Sequence, residues 1–229
     1  MCFGTTPTVS QKTAKACTVG GTTCASASIT STTGHAMAVQ CQFATTSATL
    51  SVSDGTNTYT AVGSANTSAT APGSMRWFVA KNITGVSHVI TCSSTVSVGF
   101  AWIAVYEIAG ASTTAPVDVP TSAQASGTTG TSATPSFTLP TTTFANDLLL
   151  FAATCGNTCA ADVSATNAQS DANGDESETY AKSATGTYTG TFTQTSGTFG
   201  VVGVAITDGG GGGSPTCSQS ISLMGVGCQ

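Results

Sequence analysis

The segment VGFAWIAVYEIAG, residues 98–110, is the strongest indicator of the fold class. Apolar side chains fill almost every position in it, and many are the β-branched and aromatic types that favour strands. A strand with one face in water alternates apolar and polar residues, whereas a strand covered on both faces does not. The segment therefore predicts a central strand that is buried on both faces or that crosses the core.

The composition of the whole chain supports an all-β fold. Only 7% of the 229 residues are charged, against roughly 25% in an ordinary soluble domain, while 45 are threonine and 28 are serine. Exposed helix faces need Glu, Lys and Arg, which are scarce here. Alternating segments separated by turn residues predict an antiparallel β-sandwich, and Asp54-Gly55 predicts a tight hairpin between two of them. The segments cover residues 35–43, 49–53, 58–62, 75–81, 88–93 and 98–108, and then 135–139, 147–154, 161–166, 177–183, 188–194 and 199–207.

These two sets of segments resemble each other. Residues 80–85 read AKNITG and residues 181–186 read AKSATG, and the same offset aligns Gly99 with Gly200 and Ala104 with Ala205. We expect two pseudo-repeats of about 100 residues, as tandem Ig-like domains or as one merged sandwich. The predicted organisation is an irregular N-terminal arm with a small disulfide loop (1–24), a first repeat (25–110), a second repeat (111–207) and a Gly-rich tether with a C-terminal strand (208–229).

Nine cysteines indicate an oxidising, extracellular compartment, since the chain lacks the spacings of zinc and haem sites. Short separations favour local bridges, and two further cysteines lie in strand patterns that are placed to join neighbouring strands. The predicted pairs are Cys17–Cys24, Cys155–Cys159, Cys217–Cys228 and Cys41–Cys92. Cys2 remains, either as a link to another chain or as a free terminal thiol. Residues 1–4 do not read as a secretory leader, so we expect the leader to have been removed or left out of this numbering.

Several longer strings carry a resemblance to known proteins. They are SDGTNTYTAVGS (53–64), WFVAKNITG (77–85), VGFAWIAVYEIAGA (98–111), APVDV (115–119) and TTTFANDLLLFAA (141–153). Together they resemble a loosely defined group of secreted bacterial β-sandwich proteins, Ig-like or jelly-roll-like, that occur in surface or phage-tail-like contexts. The resemblance covers roughly residues 35–207, implies a fold and an extracellular location, and includes no catalytic motif.

The sequence contains little that would support catalysis. His35 and His88 are its only histidines, and both lie in strand patterns that favour structural roles. Five basic residues are too few to neutralise a nucleic-acid backbone, and no apolar run of about 18 residues would span a membrane. We therefore expect no enzyme, no nucleic-acid partner and no membrane span.

The acidic stretch SDANGDESE, residues 170–178, is the one candidate metal site. Asp171, Asn173 and Asp175 place oxygen ligands on alternate residues of a Gly-bent loop, as calcium loops do. The match to an EF-hand is partial, and a solvated acidic hairpin loop is the favoured alternative. No cofactor other than calcium is suggested by the sequence.

Two further features bear on possible partners. Trp77 and Trp102 are able to stack on sugars, although their apolar strands favour core packing. Beyond Asp208 the chain runs through five glycines to an alternating segment around Ile221 and Leu223, which is typical of a tethered strand. The sequence thus predicts an extracellular subunit that assembles with itself into a filament, pilus-like fibre or surface layer, with Cys2 tying copies together. The alternative is a secreted carbohydrate-binding or adhesin module.

Overall fold

The computed structural model describes residues 5–18, 20–68, 73–118 and 128–208. This part of the chain is all-β with antiparallel sheets, as the sequence predicts, and contains no helix that could cross a membrane. The strands are β1 (Thr8–Cys17), β2 (Gly21–Ala25), β3 (Ile29–Thr30), β4 (Ala36–Phe43), β5 (Leu50–Ser53), β6 (Tyr59–Ala61), β7 (Asn66–Ser68), β8 (Gly73–Ala80), β9 (Ser87–His88), β10 (Thr91–Val98), β11 (Ala101–Ala109), β12 (Thr128–Ser132), β13 (Ser136–Thr138), β14 (Asp147–Cys155), β15 (Thr166–Ser170), β16 (Glu176–Lys182), β17 (Thr189–Thr191) and β18 (Gly197–Thr207).

Each half of the chain builds a two-layer sandwich. In the first half, residues 5–110, the inner sheet has the strand order β1-β11-β4-β8-β6, with β7 also paired to β8, and the outer sheet has the order β2-β10-β5. In the second half, residues 111–208, the inner sheet has the order β12-β18-β14-β16-β15 and the outer sheet consists of β13 and β17. β3 and β9 form a short separate ribbon.

The two inner sheets pack against each other, so the molecule has four β-layers. The core between them contains Trp77 and Tyr106 from the first half and Leu150 and Val204 from the second. Each half also has one core of its own, between its inner sheet and its outer sheet. Removal of this apolar surface from water is the main stabilising contribution to the fold.

Residues 98–110 contain β11, and the prediction that this strand is buried on both faces is confirmed. Trp102 and Tyr106 face the second half, whereas Ile103 and Val105 face the outer sheet of their own half. β4 and β14 are buried along their whole length for the same reason. A strand in the second or third of four layers has no face left for water, which removes the need for polar alternation.

Both halves have the same strand order. With the short β3, β7 and β9 set aside and the other strands renumbered 1 to 8 along the chain, the first half reads 1-8-3-6-5 in its inner sheet and 2-7-4 in its outer sheet. This is the order of a jelly roll, 1-8-3-6 and 2-7-4-5, except that strand 5 (β6) pairs with strand 6 in the inner sheet. The second half has the same order in its inner sheet, with β12 as strand 1, β14 as strand 3 and β18 as strand 8. Its outer sheet retains strand 2 (β13) and strand 7 (β17). The fourth strand is replaced by a single bridge between Ala160 and Thr193.

The sequence alignment of the two repeats joins residues that face different layers. Ala80 lies in the core under the outer sheet of its half, whereas Ala181 pairs with Leu148, which lies in the core between the inner sheets. Ala104 lies in the core between the inner sheets, whereas Ala205 lies in the core under the outer sheet of its half. Common descent of the halves stays a prediction.

Two predictions of local structure are wrong. Residues 8–17 and 21–25 are not an irregular arm, because β1 pairs along its length with β11 and β2 pairs with β10. Their polar sequence is that of strands at the ends of sheets. Asp54-Gly55 is a turn, with φ of 76° at Gly55, but β5 and β6 do not pair with each other. The turn instead carries the chain from the outer sheet to the inner sheet.

Two boundaries in the second half also differ from the prediction. Residues 128–132, which lie outside the predicted strand segments, form the end strand β12. The strand expected at residues 161–166 begins only at Thr166, because Asp162 closes a turn by accepting a hydrogen bond from the backbone of Ala165.

Polar contacts fix the alignment of the two inner sheets. The Tyr106 hydroxyl lies 2.7 Å from Ser177 Oγ, and Gln42 Nε2 donates to Thr154 Oγ1 at 2.7 Å. Both pairs are buried and join one half to the other. Satisfied polar pairs in an apolar interface disfavour alternative alignments, since a shifted sheet would leave the same groups unpaired.

Candidate functional site

The structure joins three of the predicted cysteine pairs. The bridges are Cys17–Cys24, Cys41–Cys92 and Cys155–Cys159, with Cα–Cα separations of 5.6, 5.8 and 5.7 Å. Cys41–Cys92 spans a sequence separation of 51 and ties the inner sheet of the first half to its outer sheet. These bridges therefore hold the layers of the sandwich together.

The residues assigned to assembly, and the fourth predicted cysteine pair, lie outside the described residues. The assembly residues are Cys2, Ile221 and Leu223, and the pair is Cys217–Cys228. The Cys217–Cys228 bridge, the C-terminal strand and the role of Cys2 stay predictions.

The predicted calcium loop is closed by hydrogen bonds of its own. Asp171 Oδ1 accepts the backbone N–H groups of Asn173 at 2.8 Å and Asp175 at 3.0 Å. The Asp175 side chain lies instead between the inner sheets, beside Thr154 and Gln42, and burial raises its pKa to about 7. Within the described ranges, no three His, Cys, Asp or Glu side chains are placed to hold a metal ion. Calcium binding by Asp171, Asn173 and Asp175 stays a prediction.

Both histidines contact buried carboxyl groups of the first half. His35 Nδ1 lies 2.7 Å from Glu107 Oε1, and His88 Nδ1 lies 3.2 Å from Asp54 Oδ2. Asp54 also accepts a hydrogen bond of 3.0 Å from the Tyr59 hydroxyl. These contacts anchor strands and turns to one another, in keeping with a structural role for each ring.

Neither tryptophan is available to a sugar. Trp77 is 1% exposed and Trp102 is 0% exposed, and both pack in the core between the inner sheets. The interpretation as core residues therefore holds.

An apolar groove lies where the first half meets the connection to the second half. We call it the β6 groove; its lining is Thr60, Ala61, Val62, Val79, Lys81 and residues 114–117, and its volume is about 220 Å³. Lys81 Nζ donates to the Thr114 carbonyl at 2.7 Å across it. At the end of β18, the Thr207 N–H donates to the Pro116 carbonyl at 2.8 Å. The chain therefore leaves β18 directly beside one wall of the groove.

A smaller, polar cleft lies on the second half. We call it the tyrosine cleft; its volume is about 130 Å³, and its lining is Leu149, Asp162, Ser164, Tyr180, Lys182, Tyr188, Thr189 and Thr191. Lys182 Nζ lies 5.6 Å from the centre of the Tyr180 ring and 5.3 Å from that of Tyr188. The outer sheet has only two strands here, so part of the outer face of β16 stays uncovered.

Two carboxylates hold the walls of the tyrosine cleft. Buried Glu178 accepts the Tyr180 hydroxyl at 2.7 Å and the Asp162 N–H at 2.9 Å, and burial raises the pKa of Glu178 to about 6. Asp162 in turn accepts the backbone N–H and the hydroxyl of Ser164. Our sequence reasoning missed this cleft, although Glu178, Tyr180 and Lys182 alternate along a predicted strand and so place polar groups on one face of it.

Comparison with known protein families, with curated proteins and with solved structures found no match. The two surface features therefore carry the functional argument. The β6 groove is suited to an extended apolar segment, and the tyrosine cleft is suited to a small polar ring.

Proposed function

We propose that the chain is an extracellular structural subunit that assembles with copies of itself, by placing its C-terminal strand in the β6 groove of a neighbouring copy. The observation that supports this most is the position of the groove. It is apolar, it lies beside an end strand of a sheet, and one of its walls contacts the last residue of β18. The alternating segment around Ile221 and Leu223 follows it in the sequence.

The sheet ends have little protection against strand addition. Soluble proteins usually guard such strands with Lys, Pro or a bulge, because their free N–H and C=O groups attract further strands. β5, β6 and β12 contain no charged residue and no proline. Lys12 donates to the Ala168 carbonyl and Arg76 donates to the Val62 carbonyl, so both cations are engaged by hydrogen bonds within the chain.

The length of the tether suits a contact between adjacent copies. Residues 209–215, five glycines followed by Ser and Pro, span at most about 25 Å when fully extended. A strand held on this tether gains main-chain hydrogen bonds at the edge of β6, and its apolar side chains fill the groove. Such a contact repeats from copy to copy without closing, which produces a fibre. The three disulfides favour an oxidising compartment for this assembly.

The experiment compares the full chain with a chain that ends at Asp208 and with an Ala115→Glu variant, which places a charge in the groove. Ala27→Glu is the matched control, since Ala27 is also an exposed alanine but lies outside the groove. We expect the full chain and Ala27→Glu to form fibres in electron micrographs, and the other two proteins to sediment as folded monomers. Normal fibres of Ala115→Glu, or a full chain that stays monomeric at high concentration, would contradict the proposal.

A further inference from the structure

The tyrosine cleft has the lining of a ligand site rather than of a packing defect. Leu149 and the rings of Tyr180 and Tyr188 form apolar walls, and Lys182 and Asp162 add a cation and an anion. Hydroxyl groups complete the lining, from Ser164, Thr189 and Thr191. Donors, acceptors and aromatic faces therefore meet within one small volume.

These walls are held in place without a ligand. Glu178 binds the Tyr180 hydroxyl and the Asp162 N–H with its two oxygens, and the Tyr180 ring packs edge-on against Phe151 at 6.0 Å. Thr189 is fixed by a hydroxyl contact of 2.8 Å with Thr138. A preformed site loses little conformational freedom on binding, so a small ligand can bind measurably.

The size and charge of the cleft select the class of ligand. Pockets for drug-sized molecules have volumes of roughly 300–1,000 Å³, so about 130 Å³ suits a single small ring. Asp162 and Glu178 outnumber Lys182, which disfavours an anion, and the Lys182 ammonium, 5.6 Å from the centre of the Tyr180 ring and 5.3 Å from that of Tyr188, disfavours a second cation. A purely apolar ligand would cover the polar lining without pairing it.

We propose that the tyrosine cleft binds one ring of a neutral carbohydrate, with its C–H face against Tyr180 and Tyr188 and its hydroxyls on Lys182 and Asp162. Hydrogen bonds from Ser164 lower the pKa of Asp162, so this side chain remains a carboxylate acceptor. Lys182 supplies donors and Asp162 supplies acceptors, which matches vicinal hydroxyl groups that both donate and accept. The site is independent of the β6 groove, and its failure would leave the assembly proposal intact.

The test is saturation-transfer NMR on the full chain, with the methyl α- and β-pyranosides of glucose, galactose, mannose and N-acetylglucosamine as probes and glucuronic acid as the anionic comparison. We expect transfer to the ring protons of at least one neutral glycoside. Lys182→Ala should weaken that binding by roughly tenfold or more. Lys15→Ala is the matched control, since Lys15 is an exposed lysine of β1 that lies outside both the tyrosine cleft and the β6 groove, and it should bind like the original chain.

Tyr188→Ala removes one aromatic wall and should abolish the transfer, and Tyr188→Phe, which keeps the ring, should retain most of it. Thermal unfolding checks that each variant is folded; if Tyr188→Ala is not, the Lys182→Ala and Tyr188→Phe results decide. The proposal is overturned if no neutral glycoside receives saturation, if Lys182→Ala binds as well as Lys15→Ala, or if glucuronic acid binds more tightly than every neutral probe.

Discussion

The two halves of the molecule share a strand order but cover their inner sheets differently. In the first half, β5 completes the outer sheet, and Asp54, which follows it, is enclosed by Tyr59 and His88. In the second half, the corresponding strand is reduced to one bridge at Ala160, and Asp162, which follows it, stays exposed. The loss of one outer strand thus converts a closed layer into an open cleft. The same strand order thus gives a covered inner sheet in the first half and a candidate binding surface in the second.

The halves also differ in charge. Residues 1–110 contain four basic and two acidic residues, whereas residues 111–229 contain one lysine and eight acids. Both acids of the first half contact a histidine. In the second half acids lie beside one another: burial and the neighbouring Asp118 raise the pKa of Asp147 to about 7. Each prediction below tests one part of this contrast.

The largest difference between the halves should be in the unfolding free energy that each loses when one disulfide is removed. Cys41–Cys92 closes a separation of 51 residues in the first half, and Cys155–Cys159 closes a separation of 4 in the second. From loop entropy, replacing the first pair by alanine should cost about 4 kcal/mol of unfolding free energy, and replacing the second about 2 kcal/mol. Denaturant titration of the two double variants measures both losses. Equal losses, or a larger loss for Cys155–Cys159, would mean that the first half does not depend on its bridge.

The second prediction concerns pH. Burial raises the folded-state pKa values of Asp175 and Glu176 to about 7, above the roughly 4 of an unfolded chain. The folded state therefore binds these protons more tightly than the unfolded state. The resulting contribution to the unfolding free energy is complete below about pH 4 and is lost as the pH rises through 7, where the buried carboxyl groups ionise at a cost to the folded state. Asp175→Asn removes this penalty, so it should raise the unfolding free energy at pH 8 by roughly 2–4 kcal/mol and change it little at pH 4.

Glu107→Gln provides the contrasting control from the first half. Glu107 accepts hydrogen bonds from Thr32, His35 and Gln11, and the amide cannot accept all three in the same way. The unfolding free energy of this variant should be lower than that of the original chain by about 1–3 kcal/mol at pH 8. Thermal or urea unfolding at both pH values checks the pair, and a loss of stability in Asp175→Asn at pH 8 would refute the idea that the second half contains destabilising buried acids.

The smallest expected effect tests the contact between the halves. Tyr106→Phe removes the hydroxyl contact with Ser177 across the inner sheets and should cost about 1 kcal/mol while unfolding stays a single transition. Tyr188→Phe alters a half-exposed hydroxyl in the second half and should cost less. Two separate transitions in Tyr106→Phe would show that the halves are domains held together by little more than this contact.

Much of the fold was accessible from the sequence, because burial on both faces leaves a clear pattern. The continuous apolar residues of β11 predicted a central strand, and the segment 147–154 predicted the strand β14. Local spacing predicted the bridges Cys17–Cys24 and Cys155–Cys159, and the strand patterns around Cys41 and Cys92 predicted the third. The role of β1 was missed, since a strand at the end of a sheet keeps a mixed polar sequence that resembles a loop. The sheet change at Asp54-Gly55 was missed because a turn motif fixes the local bend but not the partner of the next strand.

The candidate sites were harder to predict, because both surfaces are formed by segments that lie far apart in the sequence. Tyr180 lies in β16 and Tyr188 directly precedes β17, and the missing fourth outer strand exposes them together. The β6 groove likewise forms between β6 and residues 114–117, which are far apart in sequence. Sequence patterns report the burial of single strands, whereas these surfaces arise from contacts between distant segments.

The central claim is that the C-terminal strand of one copy occupies the β6 groove of the next, and a photo-crosslink tests it most directly. Benzoylphenylalanine in place of Leu223 in the full chain is irradiated under assembly conditions, and crosslinked peptides are identified by mass spectrometry. We predict covalent dimers and higher species in which position 223 is joined to residues 60–62 or 114–117 of another copy. Crosslinks to a different surface, or only within the same chain, would contradict the account.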